Sequence, residues 1–181
     1  MDPGIIFIIV TALSLNGFSQ SAIHYLHSCV EWKNSLRIAL ITGLVQIIML
    51  ILGWAFGFLI RELLVEHGEK LAFALILITG IKMVWEGFRV KISERFFKTE
   101  KLSQIILLAV ATSTGSLLIG LAFAIDFSPV LLPAVLLGLL TFVLTLSGFY
   151  AGQRFGLQKW SNGSRIVAGL MLVAAAAKII L

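Results

Sequence analysis

Two stretches of this 181-residue chain read alike about 96 residues apart, and each holds three apolar segments long enough to cross a bilayer. Ala12-Leu13-Ser14-Leu15-Asn16-Gly17 lies over Ala111-Thr112-Ser113-Thr114-Gly115-Ser116. The segment from Gly43 to Gly57 lies over Gly138 to Gly152, with Gly43/Gly138, Gly53/Gly148 and Gly57/Gly152 in register. Leu71 to Trp85 lies over Val167 to Leu181, and Ala72/Ala168 and Lys82/Lys178 coincide. The three offsets are 99, 95 and 96, a drift that small loop insertions account for. A unit with an odd number of crossings ends on the far side, so its second copy must enter the membrane from the opposite face. The pattern predicts an all-α integral membrane protein of six transmembrane helices, built as two inverted three-helix repeats. Carriers that open alternately to two compartments are often built this way.

Composition agrees with that class. Hydrophobic residues make up 59% of the chain and charged residues 13%, and the mean hydropathy is +1.04. A soluble globular domain does not have such values. The net charge of +5 raises nucleic acid as a partner, but the basic residues fall between apolar segments and read as topology signals. No nucleic-acid partner is expected. Cys29, the only cysteine, cannot form an internal disulfide.

Segment length places the spans at Gly4–Leu26, Leu36–Ile60, Lys70–Phe88, Leu102–Ile125, Pro129–Tyr150 and Arg165–Leu181. The chain then reads as one domain, residues 1–181, with repeat 1 at 1–89, a charged connection at 89–101 and repeat 2 at 102–181. Lys33, Arg37, Arg89, Lys91, Arg95, Lys98, Lys101, Arg154, Lys159 and Arg165 follow spans 1, 3 and 5, against Arg61 and Lys70 on the other side. The positive-inside rule therefore puts both termini outside and the basic connections in the cytoplasm.

Polar residues gather at mid-span. Asn16 sits midway along the first span with Gly115 as its repeat mate, and Gln46 in the second span is matched by Thr141. Ser14, Ser19, Gln20, Ser21, Thr42, Thr112, Ser113, Thr114, Ser116, Thr145 and Ser147 surround them in sequence. Polar groups in hydrocarbon need partners, so this set is expected to face the interior, either as a substrate site or as hydrogen-bonding glue between helices. Asn16, Gln46, Lys82, Ser113, Thr114 and Thr141 form the candidate substrate-contacting set. Lys82 and Glu86 are four apart on one helical face and can pair, which makes Glu86 the candidate for coupling or charge neutralisation. The glycines of spans 2 and 5, with Gly53-x-x-x-Gly57 spacing, read as close helix packing. His24, His27 and Cys29 cluster at one span end and read as interfacial residues rather than a metal site. No nucleophile sits beside a base and no histidine–carboxylate group is present, so neither an enzyme nor a cofactor is expected.

Three pieces of this pattern carry a resemblance: Ala12-Leu13-Ser14-Leu15-Asn16-Gly17-Phe18, Gly53-Trp54-Ala55-Phe56-Gly57, and Gly80 through Glu86-Gly87-Phe88-Arg89 followed by Ala111-Thr112-Ser113. The chain resembles the bacterial manganese efflux pump family, MntP, along nearly its whole length. That resemblance implies a six-helix inner-membrane exporter in contact with lipid, moving a divalent cation or another small solute. It also implies acidic residues where this chain has Asn16, Gly115 and Gln46, while the family's basic residue in span 3 remains as Lys82. A dehydrated dication needs compensating negative charge, which amides and hydroxyls do not supply. Three readings follow: export of another solute, such as an anion, a zwitterion or a small neutral molecule; manganese or other cation export by a different route; or a non-transporting accessory membrane protein derived from the family.

Overall fold

The computed structural model describes residues 3–27, 32–60, 68–89, 102–126, 129–155 and 158–180. They form α1 (Pro3–His27), α2 (Trp32–Ile60), α3 (Gly68–Arg89), α4 (Leu102–Thr112), α5 (Thr114–Ile125), α6 (Leu131–Phe155) and α7 (Gln158–Ile180), with no strand among the described residues. Long apolar stretches choose helix because each then satisfies its own backbone hydrogen bonds. Pro133 sits in the first turn of α6, where its missing N–H leaves no helical bond unmade.

Four helices contain stretches long and apolar enough to cross a membrane: Pro3–Ser21, Trp32–Ile60, Lys70–Phe88 and Leu131–Gly152. The pair α4–α5, bent by 44° at its break, adds a fifth candidate if the two helices are taken as one broken span. Sequence length alone had predicted one continuous helix from Leu102 to Ile125. The structure breaks it at Ser113. Thr112 Oγ1 bonds back to the Ala109 carbonyl at 2.9 Å, and the Ser113 N–H is shared between Ala109 O and Val110 O at 3.0 and 3.2 Å. Beyond the break the Ser116 N–H turns to Ser113 O at 3.0 Å. A run of Thr, Ser, Thr, Gly and Ser combines side chains that compete for backbone partners with the residue least committed to helix. The last helix also begins earlier than expected, at Gln158 rather than Arg165. Most of the charged connection, residues 90–101, lies outside the described residues.

Apolar side chains cover the outside. Leu36, Leu40, Leu44 and Ile48 make an exposed row on α2, and Leu131, Val135, Leu139 and Val143 make another on α6. An i, i+4 row of exposed leucine and valine suits lipid, not water. Inside, α1 lies along α6, α2 along α5 and α3 along α7. Ser14 meets Thr141, Gly17 meets Thr145 and Gly148 meets Phe18, so α1 and α6 run parallel. Gly43 touches Phe142 while Ile47 touches Gly138, so α2 and α6 run antiparallel.

The glycine pattern read as packing is packing. A Cβ placed on Gly53 would overlap the Leu117 backbone, one on Gly120 would overlap Leu50, and one on Gly148 would overlap Ser21 and Phe18. Helices at these points touch backbone to backbone.

Candidate functional site

The centre of the bundle is a buried polar layer between α1, α2 and α6. Gln46 is 3% exposed and Thr141 is fully enclosed. Thr141 Oγ1 donates to Gln46 Oε1 at 2.5 Å, and Gln46 Nε2 donates to the Leu13 carbonyl at 3.3 Å. Ser14 Oγ lies 3.4 Å from Thr141 Oγ1 and bonds its own helix at Val10 O, 2.8 Å away. A hydroxyl has one proton. With the Thr141 proton on Gln46 and the Ser14 proton on Val10, the 3.4 Å contact has none left, so the Gln46–Thr141 bond is the strong member of the layer.

Asn16 faces the break between α4 and α5. Its Nδ2 reaches the Thr112 carbonyl at 3.4 Å, the carbonyl whose usual helical donor, Ser116 N–H, has turned to Ser113. Asn16 Oδ1 is enclosed without a partner, as are Ser116 Oγ and Thr145 Oγ1. Buried oxygens in this condition are uncommon and call for an explanation. Gly115, the repeat mate of Asn16, packs beside Leu13 and Thr79.

Next to this layer, toward the C-terminal half of α1, is a cavity of about 20 Å³ lined by Gly17, Gln20, Ser21, Ile38, Thr42, Ile105, Ala109, Thr112, Thr145 and Phe149. That is room for roughly one water-sized occupant. On the other side of the layer, Val10, Leu13, Leu50, Ile119 and Leu137 are packed with at most 2% exposure each, as part of the main apolar core. Around the cavity the buried apolar cluster is only Ile38, Ile105 and Phe149. The bundle is thus polar and roomy on one side of Gln46–Thr141, and apolar and filled on the other.

The predicted site residues are not all brought together. Gln46 and Thr141 bond each other, and Asn16 sits beside the break at Ser113, which is buried. Thr114, the next residue, points the other way: its Oγ1 accepts from Lys82 Nζ at 2.9 Å on an exposed face. Glu86 lies 3.9 Å from Lys82, both side chains being more than 40% exposed. Lys82, Glu86 and Thr114 therefore form a separate group in a groove between α3 and the broken helix.

Two residues carry more than the sequence suggested. Arg165, counted only as a topology signal, is 8% exposed and its Nε has no partner. Thr145 was one hydroxyl among many, yet it lines the cavity with an unpartnered oxygen. Its spacing one turn from Thr141, opposite Gly17, was the available signal. The side chains of His24, His27 and Cys29 lie outside the described residues. Among the described residues no group of three or more His, Cys, Asp or Glu comes together.

Comparison with known proteins decides the family. The family described as "Mntp: Putative manganese efflux pump" matches residues 29–180. This chain belongs to the MntP family. Proteins with that description from Crocosphaera subtropica (33% identical, over 84% of this chain and 80% of that protein) and Methanothermobacter thermautotrophicus (33%, over 100% and 97%) are similar to it. So is one from Maridesulfovibrio salexigens, at 31% identity over 97% of each chain. No solved structure matches. The matched residues include α2 to α7, and so the broken helix, Gln46 and Thr141, while α1, which completes the polar layer and the cavity, precedes them.

Proposed function

We propose that this MntP-family chain is a six-span, inverted-repeat exporter of a cation or another small solute, handled at mid-membrane by neutral oxygens rather than carboxylates. The sixth span is the later part of α7, lying along α3. The observation that carries the reading is a set of reciprocal contacts. Under the 99-residue offset Leu13 exchanges with Thr112 and Asn16 with Gly115; Leu13 touches Gly115, and Asn16 bonds Thr112. Under the 95-residue offset Gly43 exchanges with Gly138 and Ile47 with Phe142; Gly43 touches Phe142, and Ile47 touches Gly138. A contact that recurs with its repeat mate is what a two-fold axis between the halves produces. Gln46 and Thr141, themselves repeat mates, bond each other beside that axis.

Broken helices and midplane sites at a repeat interface are the usual parts of alternating-access carriers. Here the break at Ser113 lies beside Asn16 and the unpartnered oxygens. Taken with the positive-inside rule, the cavity opens on the cytoplasmic half and the packed apolar half faces outward. That arrangement fits a carrier that loads from the cytoplasm.

The dry packing of Gln46 and Thr141 is what an accessory, non-transporting protein would also have, and one assay separates the readings. Cell manganese and manganese sensitivity are measured in cells expressing the chain, beside the variant Asn16→Asp, Gln46→Glu, Gly115→Asp. The Gly115 change is sterically mild, since a Cβ there meets Thr79 Cγ2 at 3.3 Å and Leu13 Cδ2 at 3.5 Å. Manganese lowered only by the triple variant is the expected result: a competent carrier whose specificity has moved. Lowering by the unaltered chain makes it a manganese exporter and removes the argument from missing carboxylates. No lowering by either favours the accessory role.

A further inference from the structure

We infer that the cavity beside Gln46–Thr141 is a binding site for one sodium-sized monovalent cation. Its place as the coupling ion rests on the transport reading above; the binding itself does not. Three observations converge. The cavity has room for about one water, 20 Å³. Its polar wall is made of the neutral side chains Gln20, Ser21, Thr42, Thr112 and Thr145, with no ionisable residue in the lining. Thr145, 2% exposed, is enclosed there with an Oγ1 that has no partner, although Ser14, Ser21, Thr79 and Thr112 all bond back to their own helices.

These features select the charge of the occupant. An anion would find no basic group in the lining. A dication costs about four times as much to dehydrate as a monovalent ion of the same radius, because the penalty grows with the square of the charge. Neutral hydroxyl and amide oxygens do not offset that. A monovalent cation of sodium size is held by neutral oxygens in broken-helix carriers, where unwound backbone carbonyls take part in its coordination. Gly17 is part of the fit: a Cβ on it would lie 2.7 Å from Thr145 Oγ1, and so would press on the unpartnered oxygen.

The test uses the full chain, purified in lipid nanodiscs, with sodium, potassium or choline chloride at equal ionic strength. Thermal unfolding is followed in each salt. Sodium is expected to raise the midpoint saturably and choline to leave it unchanged. Thr145→Val, which keeps the shape and removes the oxygen, should raise the half-saturating sodium concentration at least about tenfold, and Thr145→Ser should restore it. If Thr145→Val does not fold, Thr42→Val and equilibrium binding of radioactive sodium to the unaltered chain give the same readout. Equal responses to sodium, potassium and choline, or Thr145→Val and Thr42→Val both binding sodium like the unaltered chain, would overturn the site and leave a trapped water in its place. Sodium binding in a chain that exports nothing keeps the site and removes the transport reading. Export without a sodium response does the reverse.

Discussion

Gly53→Leu is expected to leave no monodisperse, folded protein in detergent. The ideal Cβ position at Gly53 overlaps the carbonyl of Leu117, so the obstacle is backbone, which cannot rotate away as a side chain can. Gly120 makes the return contact with Leu50 and Trp54, and α2 and α5 are thus locked at two points. Overpacking a core costs about 1–3 kcal/mol where neighbours can adjust. Here two helices must part, and we expect the loss to exceed about 5 kcal/mol, the whole stability of a marginal domain. Gly163→Leu is the control, since nothing lies within 4 Å of a Cβ there. Size-exclusion chromatography and thermal unfolding check the pair. A Gly53→Leu protein that elutes and melts like the unaltered chain would mean that α2 and α5 do not touch as described.

The second large effect concerns the buried polar layer. Gln46→Leu removes a second donor to Leu13 O, a carbonyl inside α1 that keeps its helical bond, and takes away the acceptor of the buried Thr141 hydroxyl. The expected loss is about 1–3 kcal/mol. Interhelical hydrogen bonds in membranes often measure less, about 0.6 kcal/mol on average, because the unfolded chain in the bilayer also finds partners, so the lower end of that range is expected. Thr141→Val should cost about 1 kcal/mol alone, and the double variant less than the sum, because both single changes break the same 2.5 Å bond. Unfolding free energies of the four proteins give the coupling directly. Strict additivity would show that Gln46 and Thr141 do not bond.

Much of this arrangement was legible in the sequence because membrane spans are long, apolar and nearly uniform in length. The register Gly43/Gly138 and Gly53/Gly148 identified residues that do sit at close helix contacts, since only the smallest residue tolerates a backbone against it. Pairing Gln46 with Thr141 as repeat mates named two residues that bond each other. The break at Ser113 was not read. Hydroxyl residues are common within spans, and whether they bond their own helix or break it depends on neighbours such as Asn16, which sequence does not place. The direction of each mid-span side chain was equally hidden. Ser113 and Thr114 are adjacent, yet one is buried and the other meets Lys82 on an exposed face. Arg165 looked like any basic residue at a span end until α7 packed it inward.

In the proposed carrier the filled half of the bundle is the barrier that a moving charge has to cross. Val10, Leu13, Leu50, Ile119 and Leu137 are packed there with at most 2% exposure each. Each elementary charge taken across the membrane then exchanges about 2.3 kcal/mol with every 100 mV of membrane potential.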